Sequence, residues 1–433
     1  MTSILVNAAT AQINAPTVHR LPNGLTIIAE QMPVEAVNLS LWLGVGSTVE
    51  PDEINGMAHF LEHMIFKGTR RLQSGEFERQ IEQRGAVTNA ATGQDYTYYY
   101  ITTAPQDFAA LAPFQVEVVL NAAIPDAAFE RERAVVLEEI RRSEDNVRRR
   151  TYSRSMEAAF ERLPYRRSVL GPTEVIEQLK PQQMRDFHAT WYRPQSMTAA
   201  VVGNLPVEQL IEIVSNSFME AEAHSVLPND LCPPDLPNCS PEAPFETISR
   251  QEHVDPGLQQ ARLVMMWRVP GMADVNQTYA LDALSSVLGQ GRTSRLVRDL
   301  REERGLVSGI SVSNMTYTQQ GLFYISAQLP LEHLETVEAA ILDHIHQLHT
   351  KPVAEAEIQR VRTLVANRYV FGNEAPSERA GLYGYYQSVL GDLAPAFSYP
   401  AQIQALNAHS LQAAAQQYLS PEAYRAVILK PTA

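Results

Sequence analysis

The 433-residue chain carries one order of landmarks twice, on either side of a proline-rich stretch, and that duplication restricts its folds more than any other feature. The first copy opens with Val37, Leu39, Leu41, Leu43 and Val45 alternating with other residues, the period of a half-buried strand. The second opens with Ala261, Leu263, Met265, Trp267 and Val269 at the same period. The first closes on Trp191-Tyr192-Arg193-Pro194 and a β-favouring run from Met197 to Val202; the second closes on Tyr418-Leu419-Ser420-Pro421 and a run from Tyr424 to Leu429. Between the copies, residues 222–254 hold Pro228, Pro233, Pro234, Pro237, Pro241 and Pro244. Proline removes backbone donors, so this stretch is expected to be an extended linker. The expected organisation is residues 1–221, a linker over 222–254, and residues 255–433. Strand and helix patterns mix without a regular βαβ rhythm, so each half is expected to be α+β, an antiparallel sheet packed with helices.

Within the first half, Gly56 to Phe66 is expected to be helical, Tyr96 to Thr103 a strand, and Asp107 to Ala122 a helix. Pro125-Asp126 signals the start of a long charged helix reaching about Phe160, with room for one break. Hydrophobic residues make up 45% and charged residues 19%, enough apolar material for two real cores. The net charge of −14 argues against nucleic acid as a partner. It favours basic ligands only weakly, since solubility explains it as well. No apolar run is long enough to span a bilayer, so no membrane is expected. Met1 to Thr17 lack Lys and Arg, against a secretory signal or a transit peptide. Cys232 and Cys239, the only cysteines, make no disulfide framework. A cytoplasmic, bacterial-type location is expected, with an organellar mature form still open.

The sharpest motif is His59-Phe60-Leu61-Glu62-His63. On a helix, positions i and i+4 share a face, so the two imidazoles can meet one zinc ion, and Glu62 leans the same way. Zinc lowers the pKa of a bound water, and a neighbouring carboxylate can take its proton as the water attacks an amide. A catalytic site needs a third protein ligand. Glu139, 76 residues beyond His63, is the candidate. Glu132 lies two turns earlier on the same face, so one of the two glutamates can ligate while the other supports from behind. Two metal-free histidines on a helix, and a solvated charged helix downstream, are the competing readings. Elsewhere, His346 and His349 share a helix face but lack further ligands, and Gly289-Gln290-Gly291 is too short for a nucleotide loop.

Beyond that five-residue motif, the chain resembles the pitrilysin superfamily of zinc peptidases, and within it the processing-peptidase branch. The resemblance rests on Gly56 to Met64 with Phe66-Lys67-Gly68-Thr69 next to it, on Gly85 to Ala90 with Thr92, on Glu132 and Glu139, and on Gly171 to Ile176 and Val201 to Asn204. It covers nearly the whole chain. It implies a zinc endopeptidase in which His59, His63 and Glu139 hold the metal, Glu62 activates water and Glu132 supports a ligand. It also implies a chamber where an extended peptide adds to a strand edge at Asn89 and Ala90. Relatives carry an Arg and a Tyr seven residues apart in the second half that bind substrate and stabilise the oxyanion. Here Arg301 matches, but the Tyr position is Ser308, whose hydroxyl is too short. Tyr317 and Tyr324 lie off the expected spacing. A related subunit in a heterodimer is therefore the expected partner, a homodimer the alternative. A non-catalytic structural or peptide-binding subunit is the alternative function.

Overall fold

The computed structural model describes residues 15–225 and 240–432. The Met1–Thr17 reading therefore falls mostly outside the described residues, as do both cysteines and four of the linker prolines.

Two sheets form the frame. The first contains β1 (Thr17–Arg20), β2 (Thr26–Gln31), β3 (Val37–Leu43), β4 (Val87–Thr92), β5 (Thr97–Thr103) and β6 (Met197–Gly203), in the order β1-β2-β6-β3-β5-β4. The second contains β7 (Ser249–Val254), β8 (Ala261–Pro270), β9 (Gly309–Thr316), β10 (Gln320–Leu329) and β11 (Arg425–Lys430), in the order β7-β11-β8-β10-β9. Without β1 the two orders are the same, strand for strand. Both sheets are mostly antiparallel, with one parallel pair each, β2 with β6 and β7 with β11. The expected linker is thus too long at its C-terminal end. Ser249–Val254 alternates Ser, Gln and His with Arg, Glu and Val and pairs along the whole length of β11.

Five helices of the first half position the candidate site and its surroundings: α1 (Met57–Ile65), α2 (Glu76–Gln83), α3 (Pro105–Leu120), α4 (Asp126–Asp145) and α5 (Val147–Ala159). The long charged helix does break once. Asn146 takes an extended conformation there, and its side chain accepts the backbone N–H groups of Arg148 and Arg149, capping α5.

One expectation fails instructively. The alternation in β3 predicts one wet face, yet all seven residues are buried, Asn38, Ser40 and Trp42 included. The reason lies more than 300 residues away: the helix Pro376–Leu390 of the second half lies across β3 and β6. Gly384 approaches Trp42 so closely that a Cβ there would sit 2.1 Å from the indole ring. Glu30, at the end of β2, receives Arg379 Nη1 at 3.0 Å and the Tyr383 hydroxyl at 2.6 Å from that helix. The exchange is mutual, since α5 of the first half covers β8 and β11 of the second. Met156, Ala159 and Phe160 pack there against Val264, Met266, Leu322 and Val427. Among the described residues no helix is long and apolar enough to cross a membrane.

Candidate metal centre

The metal-site side chains owe their direction to the burial pattern of α1. Met57, Ala58, Phe60, Leu61, Met64 and Ile65 are buried, leaving His59, Glu62 and His63 to share the remaining face. Two features fix where this helix begins. Gly56 has φ +97°, and a Cβ on it would strike Leu170 O at 2.6 Å; Gly171 has φ +75°, and its Cβ would strike Asn55 O at 2.2 Å. Only glycines allow these two backbones to touch, a physical reason for two of the sequence landmarks. Glu50 then reaches over the helix start. Its carboxylate accepts Gly56 N at 2.8 Å, Ala58 N at 2.7 Å and Asn55 Nδ2 at 2.9 Å. It takes up two N–H groups at the positive end of the helix. Burial pushes its carboxyl up to about 7 against those donors.

The structure brings His59, His63 and Glu139 together: one ligand atom from each lies within 4.8 Å of the others. Glu139 Oε2 is 3.5 Å from His59 Nε2 and 3.6 Å from His63 Nε2. Tetrahedral zinc with bonds of about 2.1 Å separates its ligand atoms by about 3.4 Å, so these residues fit the ion. The protonation state fits as well. Burial, helped by the charges of His63 and Arg149, pushes the His59 imidazole down to about 3, so the ring is neutral and offers a lone pair. Among the described residues His59 Nδ1 is buried without a hydrogen-bond partner, so Nε2 is the atom that faces a polar neighbour.

Glu132 does not join this trio. Its Oε2 lies 3.4 Å from His63 Nδ1, behind the ring, and its Oε1 accepts Lys67 Nζ at 2.7 Å. Of the two glutamates, Glu139 stands with the two imidazoles and Glu132 behind one of them. Glu62 stands apart from the ligand atoms. Its Oε2 accepts the Thr92 hydroxyl at 2.5 Å, which ties α1 to the end of β4. Burial raises its carboxyl above the ordinary range, opposed mainly by that hydrogen bond.

Asn89 and Ala90 lie on β4, the outer strand of the first sheet, whose one strand neighbour is β5. Ala90 N donates to Asn89 Oδ1 at 2.9 Å, so this amide faces the open edge rather than β5. Arg301 pairs with the adjacent Glu302 at 2.7 Å, and among the described residues no hydrogen bond or ion pair joins it to the metal cluster. Ser308 donates to Gln260 Oε1 at 2.7 Å. Tyr317 stacks on Tyr165 and bonds Tyr152 through its hydroxyl, and Tyr324 lies 3.4 Å from Ser155, so both are held against α5 and its continuation. His349 is a structural histidine, with Nε2 2.9 Å from the carbonyls of Ala415 and Leu419. Sequence reasoning missed Glu50. An acid six residues before a helix looks like any surface carboxylate until the chain folds back.

Comparison with known proteins bears on the family of the chain. Residues 25–173 match the family model described as insulinase, peptidase family M16, and residues 178–365 match that described as the peptidase M16 inactive domain. An uncharacterized zinc protease of Rickettsia bellii is 26% identical over 375 residues, covering 86% of this chain and 88% of its own. The zinc protease PqqE of Helicobacter pylori is 26% identical, covering 95% of this chain and 92% of its own. The crystal structure of a protease from Helicobacter pylori superposes with a TM-score of 0.87 at 25% identity, covering 96% of this chain and 99% of its own. A chain of complex III from Candida albicans has the same fold, with a TM-score of 0.80 at 14% identity over 95% of each chain. With both halves matched by models of one family, by zinc proteases along nearly their whole length and by the fold, the chain belongs to the M16 family of peptidases.

Proposed function

We propose that the chain is a zinc metalloendopeptidase acting on extended peptides or unfolded segments, with His59, His63 and Glu139 as ligands and Glu62 as the general base. The observation that carries this reading is the trio of ligand atoms within 4.8 Å, with a half-buried carboxylate on the same helix face as the two histidines. Bound zinc supplies an acidified water and polarises the scissile carbonyl. Glu62 takes the proton from the attacking water and returns it to the leaving amine. Burial raises its pKa, which makes it a stronger proton acceptor than an ordinary carboxylate, and Thr92 holds the carboxylate in one orientation. Glu132 keeps the His63 ring turned toward Glu139. The open edge of β4 at Asn89 and Ala90 takes the peptide backbone by strand addition, which needs little side-chain specificity. A non-catalytic structural or peptide-binding role would fit a chain lacking one of these four groups, and all four are present. The test is elemental analysis of protein purified without added metal. One zinc per chain is expected, falling to near zero in His63→Ala; unchanged zinc in that variant would overturn the ligand assignment.

Ser308 bears on the partner. Losing one oxyanion donor costs on the order of 10²–10³ in rate. Tyr317 and Tyr324 are engaged against α5 and its continuation, which leaves neither free to replace the missing phenol. The proposed working unit is a heterodimer with a related chain that lacks the metal motif and carries the Arg–Tyr pair. Activity should rise at least tenfold when such a relative is added. Full activity of the isolated chain, unchanged by replacing both tyrosines, would defeat the heterodimer.

A further inference from the structure

A second charged feature lies in the cleft between α5 and the second sheet. A cavity of about 440 Å³ there is lined by Arg148 and Thr151 of α5, Arg262 of β8, Ser311 of β9, and Tyr324 and Ser326 of β10, with no acidic residue in its wall. Both guanidiniums are without a carboxylate. Among the described residues neither Arg148 nor Arg262 makes an ion pair, and Arg262 Nε is buried without a hydrogen-bond partner. The contrast within β8 is sharp. Arg268 projects from the same face six residues on and is ion-paired with Glu242, with Nη2 to Oε2 at 2.5 Å, while its Nε and Nη1 donate to the carbonyls of Ala159 and Ala243. Arg150, two residues after Arg148, is satisfied by Asp255. Partial burial and, after it, the charge of Arg148 act against the charge on Arg262. In a chain of net charge −14, carboxylates are plentiful, and this cavity has none. Arg262 is half-buried with its Nε unpartnered, a cost that a guest carboxylate would offset, and the exposed Arg148 can join it on the same guest.

The cavity and the metal cluster are linked through consecutive helices: α4 carries Glu139, and α5, which follows it, carries Arg148 and Thr151. We propose that this cavity is a carboxylate subsite, in which Arg148 and Arg262 hold an acidic group of the bound peptide. The inference rests on the peptidase reading above and narrows it to peptides bearing an acidic group. The planar guanidiniums can each present two donors to a carboxylate, and the Ser311 and Ser326 hydroxyls lie on the same wall. A side-chain carboxylate and a C-terminal carboxylate offer the same chemistry.

The test is equilibrium binding by fluorescence anisotropy on Glu62→Gln protein, which removes turnover. The probes are labelled twelve-residue neutral peptides in which one Glu is stepped along the chain, each beside its Gln counterpart, with free or amidated C-termini. At one position Glu should bind about tenfold tighter than Gln, an advantage that shrinks at high salt. Arg148→Gln or Arg262→Gln should abolish the advantage and leave the Gln peptide unchanged, and Arg148→Glu should turn the preference toward Lys. A gain from an internal Glu assigns the side chain as the source; a gain confined to the free C-terminus assigns the chain end. Equal affinity at every position, or a preference that survives the double Gln variant, would overturn the subsite. Wild-type protein is assayed for cleavage of the same peptides. Glu-selective binding without cleavage would sustain the subsite and refute the peptidase reading, whereas cleavage indifferent to charge would do the reverse.

Discussion

Glu132 is one residue whose work depends on what stands on either side of it. Lys67 fixes one carboxylate oxygen at 2.7 Å, and the other reaches His63 Nδ1 at 3.4 Å. A carboxylate behind a metal-binding imidazole selects the tautomer and makes the ring a better donor. Glu132→Gln should therefore lower zinc affinity by about 10- to 100-fold without removing the ion at saturating zinc. Competition against a calibrated chelator measures this; an unchanged affinity would assign Glu132 to the charged surface instead. The motif His59 to His63 showed in the sequence because helical spacing alone predicts which side chains share a face. Glu50 did not, because its role exists only where the loop before α1 folds back on the helix start.

Among elements, the helix Pro181–Trp191 helps fix the height of α1, against which it packs. At its core His188 is fully buried, with Nε2 2.9 Å from Val119 O at the end of α3. Burial pushes its imidazole from 6.5 down to about 4, so the folded state holds the neutral ring. Linkage sets the sign. Between about pH 6.5 and pH 4 the unfolded chain binds a proton that the folded chain refuses, so the stability present above pH 6.5 is lost as the pH falls. The loss amounts to roughly 3 kcal/mol over that window. His188→Gln should make the urea midpoint less dependent on pH over this range. Parallel curves for the two proteins would show that His188 does not carry the effect. The strand positions in the sequence were legible by alternation and β-branching, as β5 and β6 demonstrate. The burial of both faces of β3 was not, because alternation reports one covering layer and the second comes from Pro376–Leu390.

At the scale of the whole molecule, the two halves are interlocked. Each sheet is covered on one face by a helix that the chain delivers from the other half, α5 in one direction and Pro376–Leu390 in the other. Asp95 adds a link between the hairpins, accepting Thr318 N at 2.9 Å. The halves should consequently unfold together. Gly384→Ala would press a methyl group into Trp42, an overpacking that costs about 1–3 kcal/mol. In calorimetry the parent should show one transition, and the variant one transition at lower temperature. Two separated transitions, with only one moved by the substitution, would contradict the interlock. The duplicated architecture was visible in the order of landmarks, but no local pattern says which half a helix will cover.

The central claim is that Glu62 performs proton transfer beside a zinc held by His59, His63 and Glu139. Its most direct test is the hydrolysis rate of an internally quenched peptide by wild-type and Glu62→Gln protein, with zinc quantified in the same samples. Glutamine keeps the size of the side chain but cannot accept the proton. The account predicts a loss of about 100-fold or more in kcat with one zinc per chain in both proteins. Hydrolysis at the wild-type rate by the zinc-loaded variant would contradict it.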